Sequence, residues 1–357
     1  MPQPEVFKAL FALETRLGAN WSNLHAAEVA TRELHAQLSA AVNGKTREDA
    51  SVVVLGSGGR FEVTSGSDAD WTYLIDGQAN SEHQATALEI KDAIEATLKG
   101  LKGPGREGVF GAMAFSHDLI QYVGGEDDTN SNLTRRILLL LESKPIGRPD
   151  AYHRVLRATI DQYLSNDYGW RHFSTGGVSR FLVNDVSRYW RTVAVDFAYK
   201  RKSRKNAGWA LRSAKLRLSR KLTFVAGLLY CYSIAQSVWR EAPAKDAPTR
   251  KQETIEHLWE LTASTPLDLL ADAFSRSKTL DATAKRTFDG YDRFLAILNS
   301  PEDRDRLVKL APDDGSGDAS YQEIRKLGND FQSGLNRLFL IDNDTPFPAL
   351  TREYGMF

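Results

Sequence analysis

The chain has 357 residues, 42% of them apolar and 26% charged, an ordinary globular balance with room for two domains. Basic and acidic residues number 46 each, so the formal net charge is zero and a polyanionic partner would have to be recognised through a local charge excess. The single cysteine, Cys231, excludes an internal disulfide framework and a cysteine-built zinc site.

Residues 4–42 read as one or two helices, with Phe7, Leu10, Phe11 and Leu17, then Leu24, Val29, Leu34 and Leu38, at roughly helical spacing. The β-branched run Ser51–Leu55 reads as a buried strand ending in a turn, Gly56-Ser57-Gly58-Gly59. A second strand is expected from Asp68 to Ile75. Ser81–Leu98 reads as a helix with a stripe of Ala87, Ile90, Ile94 and Leu98, followed by a Gly/Lys-rich loop, Gly100–Gly108. Val109–Val123 reads as a third strand and Gly124–Asp128 as an acidic turn. Asn130–Ser143 reads as a helix, with Pro145 and Pro149 marking a domain boundary. Beyond it the patterns are helical, at about 150–166, 178–200, 208–238, 251–275, 279–298 and 318–341, with loop signals at Ala242–Pro248 and Asp313–Gly317. The expected organisation is a catalytic domain with N-terminal helices over 1–149 and an all-helical domain over 150–357 that completes a cleft.

The opening residues carry no basic segment followed by an apolar core and a small-residue cleavage site. The longest apolar stretch, Leu222–Ala235, is shorter than the roughly 20 residues that span a bilayer. A cytoplasmic protein is expected.

The chemistry concentrates between Gly56 and Asp76. A strand that ends in Gly-Ser-Gly-Gly leaves backbone N–H groups free to cradle phosphate oxygens. Asp68 and Asp70, two positions apart on a strand, point to one side. Paired carboxylates beside a phosphate-binding turn suit Mg²⁺ and a nucleoside triphosphate. Gly56 and Ser57 can donate to the outer phosphates, and Arg60 can add a charged contact. The dinucleotide pattern Gly-x-Gly-x-x-Gly leading into a helix and the full Walker pattern are both absent.

Gly56-Ser57 followed at this spacing by Ser67-Asp68-Ala69-Asp70 resembles the signature of the DNA polymerase β-like nucleotidyltransferase superfamily. The form Leu-Gly-Ser-Gly-Gly-Arg-Phe-Glu is most similar to the branch containing the bacterial PII uridylyltransferases, and Asn130–Ser143 is similar to the helix after the catalytic sheet in that branch. The resemblance implies an α+β fold, a small mixed-sheet domain followed by helices. It implies Asp68 and Asp70 as ligands of two Mg²⁺ (or Mn²⁺) ions, Gly56 and Ser57 at the triphosphate of an NTP or dNTP, and a third carboxylate on a later strand. Asp118 is the expected third ligand, with Glu126, Asp127 and Asp128 as rivals in a loop. His117 reads as a neighbour rather than a base. The PII enzymes carry regulatory domains for which this chain has no room.

Lys200–Lys221 holds ten basic residues and no acidic one, the largest local charge asymmetry in a neutral chain. Arg212 and Lys215 are expected to reach back to the triphosphate, as cations of the helical domain commonly do in the superfamily. Lys200–Lys205 is expected to track an oligonucleotide backbone. Asn184, Arg188 and Arg191 share a helix side and could equally line the cleft or form a structural network, whereas Tyr189 and Trp190 read as core. The leading expectation is template-independent transfer of a nucleoside monophosphate to a nucleotide or nucleic-acid hydroxyl, as in tailing or in making an oligonucleotide signal of the kind bacterial anti-phage systems use. The alternatives are nucleotidylylation of a protein side chain and a non-catalytic nucleotide sensor.

Overall fold

The computed structural model describes residues 6–98, 113–171, 177–236 and 246–355; the loop expected at Gly100–Gly108 and part of that at Ala242–Pro248 lie outside them. Two helices open the chain, α1 (Lys8–Leu17) and α2 (Ser22–Val42). The sheet follows: β1 (Ala50–Leu55), β2 (Trp71–Ile75), β3 (Met113–Phe115) and β4 (Ser143–Ile146), in the order β3-β2-β1-β4. β1 runs antiparallel to β2 and β4, while β2 and β3 are parallel.

β1 is buried along its whole length because both faces of the sheet are covered, which explains a continuous apolar run in place of alternation. Val52 and Val54 face a small core with the end of α2 and with α4 (Ser81–Thr97); Val53 and Leu55 face the larger core beneath the helices. β4 falls where helix end and linker were expected. As the edge strand it tolerates Pro145, which has no N–H to donate. The expected third strand is also shorter: it ends at Phe115, where the chain turns into a short helix, α5 (Ser116–Ile120). Another short helix, α3 (Gly56–Arg60), takes the place of the glycine turn, and α6 (Asn130–Leu141) leads into β4.

The helices α7 (Asp150–Asn166), α8 (Tyr168–Arg171), α9 (Arg180–Ser203), α10 (Trp209–Arg217), α11 (Ser219–Gln236) and α12 (Ala247–Leu261) come next. They are followed by α13 (Pro266–Ser275), α14 (Asp281–Asn299), α15 (Pro301–Lys309), α16 (Ala319–Asn336) and α17 (Phe347–Leu350). Two long expected helices are each divided. Leu218 leaves helical dihedrals between α10 and α11, and Pro266 starts α13 afresh with the Thr265 side chain as its cap.

The larger core joins the N-terminal helices to the C-terminal half. Leu10 of α1 and Leu270 of α13 belong to it, and the Trp21 ring packs on Phe288 at 5.1 Å. The Leu10 N–H donates to Asp268 Oδ1 at 2.9 Å, so an acidic side chain of α13 serves the free N–H groups at the start of α1. Among the described residues no helix is long and apolar enough to cross a membrane.

Candidate active site

A cleft of about 380 Å³ lies between the edge of the sheet and the helices, lined by Gly56, Ser57, Asp68 and Asp70 on one side and by α9, α10, α11 and α15 on the other. Asp68 and Asp70 precede β2 rather than lying on it. They still share a side, because the segment is extended and alternates: Ser67, Ala69 and Trp71 are buried, while Asp68 is exposed and Asp70 half-buried. The Leu55 N–H donates to the Asp70 carbonyl at 2.9 Å, which ties the carboxylate segment to the end of β1 beside Gly56. Gly56 has φ 61°, and a Cβ there would stand 3.0 Å from Asp70 Oδ2, so only glycine both makes this turn and leaves room for the carboxylate. Burial, and then the charge of Asp68, push Asp70 up to about 6, against the pull of Lys215.

Arg60 lines the cleft but is already engaged. Its Nε donates to Glu62 Oε2 at 2.8 Å and its Nη1 to Glu142 Oε2 at 2.6 Å, with all three side chains nearly buried. Burial alone would lower the Arg60 pKa; the two carboxylates more than offset that, and it stays well above its ordinary value. Tyr291 Oη donates to Glu62 Oε1 at 3.0 Å and Thr223 Oγ1 to Glu142 Oε2 at 2.9 Å. Arg60 is thus the centre of a charge cluster beneath the cleft that binds α3, the end of α6, α11 and α14 together.

The run Lys200–Lys221 divides in three dimensions. In its second half, Lys215 and Arg220 line the cleft, and Arg304 of α15 joins them while lying against Gly66. Among the described residues the side chains of these three cations have no hydrogen-bond or ion-pair partner. Burial, reinforced by Arg304 and Arg220 and opposed by Asp68, lowers Lys215 to about 8. Arg212 does not line the cleft; its guanidinium is turned inward beside Gly208, with Nε and Nη2 buried. Lys221 donates to Gln332 Oε1 at 2.7 Å instead.

Asp118 is not brought to this site. It lies on α5, beside a separate depression formed with Gly77, Gln78 and His117. The parallel register explains why: Ile75 pairs with Phe115, so the chain leaving β3 emerges at the far end of β2 from Asp68 and Asp70. Asp128, one of its rivals, is buried and bound to Arg136 at 2.9 and 2.7 Å. Of the two roles open to Asn184, Arg188 and Arg191, lining the cleft or a structural network, Arg188 takes the second, with Asp185 at 3.0 Å, and none of the three is a lining residue. Tyr189 is buried as expected and forms part of the cleft wall. Glu142 and Arg304 join the cleft without any sequence pattern that points to them, and Arg220 joins it from within the basic run.

Among the described residues no group of three or more His, Cys, Asp or Glu side chains could hold a metal ion. Of the other carboxylates that line the cleft, Glu62 and Glu142 hold Arg60 and Asp196 pairs with Lys200, which leaves Asp68 and Asp70 as the donor set. Burial first, and then the charge of Asp68, disfavour a second negative charge at Asp70, which a cation would relieve, and one or two carboxylates completed by substrate phosphates is a common way to hold Mg²⁺. The residues fit a divalent cation of that kind.

A small mixed sheet with two carboxylates beside a Gly-Ser turn, closed by helices, defines a nucleotidyltransferase-type α+β domain followed by a helical region. Residues 5–108 match the family model described as Putative nucleotidyltransferase DUF294, a stretch that holds β1, Gly56, Ser57, Asp68, Asp70 and β2 and is consistent with the nucleotidyltransferase superfamily. A domain of this kind implies a nucleotide substrate, and the family usually uses divalent metals. No curated protein and no solved structure matches the chain.

Proposed function

We propose that the chain is a divalent-metal-dependent nucleotidyltransferase that moves a nucleoside monophosphate from an NTP or dNTP to a hydroxyl of a nucleotide or nucleic acid and releases pyrophosphate. One observation carries the reading: two carboxylates, Asp68 and Asp70, line one cleft with three cations, Lys215, Arg220 and Arg304, that have no hydrogen-bond or ion-pair partner among the described residues. A ligand that binds metal at one end and is polyanionic at the other satisfies both walls.

In this reading Asp68 and Asp70 hold Mg²⁺ or Mn²⁺, which supplies charge neutralisation at the α-phosphoryl group. Ser57 Oγ and the backbone at Gly56 hold phosphate oxygens, and Lys215, Arg220 and Arg304 neutralise the β- and γ-phosphates. The acceptor oxygen bonds the α-phosphorus, the bond from that phosphorus to the pyrophosphate oxygen breaks, and the hydroxyl proton passes to water in the open cleft. Holding the triphosphate at several points supplies alignment, which lowers the barrier through lost freedom already spent on binding.

The test is incubation with each α-labelled NTP and dNTP and Mg²⁺ or Mn²⁺, with products digested separately by nuclease and protease. Asp68→Asn and Asp70→Asn should each cut pyrophosphate release by on the order of a hundredfold or more with the fold intact. Full release by the double variant would sink the proposal. Label on a nuclease-resistant, protease-sensitive product would move the acceptor to a protein.

A further inference from the structure

The walls of the cleft differ in charge. Lys215, Arg220 and Arg304 stand on α10, α11 and α15, and the charge of Asp68 partly offsets the burial that lowers Lys215 and Arg304. The wall formed by α6 and α9 is neutral. Asn130, Thr134 and Thr192 give it amide and hydroxyl groups, Leu138 and Val193 give it apolar surface, and its one cation, Lys200, is bound to Asp196 at 2.8 Å. On α9 the lining residues Tyr189, Val193, Asp196 and Lys200 succeed one another at steps of four, three and four, which sets them on one helix side. Tyr189, its hydroxyl held up by burial and by Glu142 and pulled down by Arg220, lies at the end near those charges. Asp196 follows about 10 Å further along the helix axis. The Asp196 and Lys200 side chains are 37% and 28% exposed, so both are open to a ligand in the cleft.

We propose that the Asp196–Lys200 pair selects guanine, so that the nucleotide donor is GTP or dGTP; the inference rests on the nucleotidyl-transfer reading above. A carboxylate on this wall repels phosphate and calls for N–H donors. It has about four lone-pair sites and the ammonium has three N–H donors, so the ion pair uses only part of either group. Together they present two acceptors and a donor side by side. Guanine is the one standard base whose pairing edge answers that order: N1–H and the N2 amino group donate to the Asp196 carboxylate, and O6 accepts from Lys200 Nζ. Adenine and cytosine each set a ring-nitrogen lone pair against the carboxylate beside a single amino group, and uracil has one N–H between two carbonyl oxygens. Leu138 and Val193 supply apolar surface for the ring. The base is then held on the neutral wall while the triphosphate meets Lys215, Arg220 and Arg304.

The test compares GTP, ITP, ATP and XTP on the full chain with Mg²⁺, by kcat/KM for pyrophosphate release and by calorimetric titration for binding. GTP should exceed ITP, which lacks the N2 amino group, by roughly 10-fold and ATP by roughly 100-fold, since hydrogen bonds to charged groups are the strong ones. Asp196→Asn should weaken GTP by roughly 10-fold to 100-fold and improve XTP, because the amide offers one acceptor and one donor and xanthine carries an oxygen where guanine carries the amino group. A gain with XTP cannot come from misfolding. Lys200→Met should weaken GTP and ITP alike, since both keep O6. Equal use of GTP and ATP, preference for another base, or a guanine preference that Asp196→Asn leaves intact would overturn the guanine site, and pyrophosphate release in those cases leaves the transfer reading standing. Guanine-selective binding that Asp196→Asn turns towards xanthine, without pyrophosphate release under any acceptor condition, does the reverse. Absence of binding by any of the four nucleotides overturns both.

Discussion

Replacing Arg60 by methionine separates two roles that the sequence could not tell apart. The change removes two near-buried ion pairs, at 2.8 Å to Glu62 and 2.6 Å to Glu142. It leaves two carboxylates in a low-dielectric site with one donor from Tyr291 and one from Thr223. Breaking a buried pair by deleting one partner costs about 3–5 kcal/mol, chiefly because the surviving charge is uncompensated. With an unfolding entropy of about 2.1 cal/mol/K per residue, the whole chain has roughly 0.75 kcal/mol/K, so the melting temperature should fall by roughly 4–7 °C. The sign of the pH dependence comes from the same charges. Burial already raises the Glu62 pKa, and without Arg60 to pull it down the folded state binds more protons than the unfolded chain. The deficit should therefore be small near about pH 5 and grow towards about pH 8. Calorimetry or a circular-dichroism melt across that range reads it. Adding Glu62→Gln and Glu142→Gln to the methionine variant should recover most of the loss, since removal of a whole buried charge cluster is often nearly neutral. A methionine variant with unchanged melting temperature at every pH, but with a tenfold or greater rise in the apparent KM for nucleotide (about 1.4 kcal/mol), would refute the reasoning and return Arg60 to the phosphates.

The pH dependence of kcat/KM reports groups of the free enzyme, so pyrophosphate release should give a bell-shaped profile. Its acid limb tracks ionisation of Asp70, pushed up to about 6, and its alkaline limb tracks loss of charge at Lys215, lowered to about 8. Lys215→Arg should carry the alkaline limb out of range; an unaltered limb would assign it to another group. Gly59→Ala should destabilise sharply, because a Cβ there would lie 1.9 Å from the Glu142 carbonyl oxygen, a backbone atom that can yield only if β4 leaves β1. A loss above about 3 kcal/mol in urea, or failure to fold, is expected, since overpacking against backbone exceeds the cost of ordinary core strain; a midpoint within error of wild type would contradict the packing described.

Local signals carried much of the donor half of the site. The run Val52–Leu55 ends at a glycine that has to adopt positive φ, and the alternation from Ser67 to Trp71 is enough to turn Asp68 and Asp70 to one side. That alternation survives although the hydrogen-bonded strand begins only at Trp71, since side-chain direction depends on extended dihedrals and not on ladder pairing. The long helices were legible for the same reason, as period is a local property. Breaks within them were less so: Pro266 is a visible stop, but the departure at Leu218 has no mark in composition.

What the tertiary structure alone decided is which charges meet. In sequence, Arg60, Arg212, Lys215 and Arg304 are alike as cations, and Asp118 and Glu142 alike as acids. Packing sets Arg60 between Glu62 and Glu142, turns Arg212 inward beside Gly208, and brings Arg304 from α15 to the carboxylate loop. The parallel pairing of β2 with β3 sends Asp118 to the wrong end of the sheet, while the antiparallel pairing of β4 with β1 brings Glu142 beside Gly59. Strand direction and long-range packing depend on partners far apart in the chain, such as Tyr73 with Met113, Leu55 with Ser143 and Gly66 with Arg304, and no short window of sequence contains them. The chain by itself therefore determined the carboxylate-and-turn side of the cleft, and the fold determined which cations line it without an ion-pair partner among the described residues.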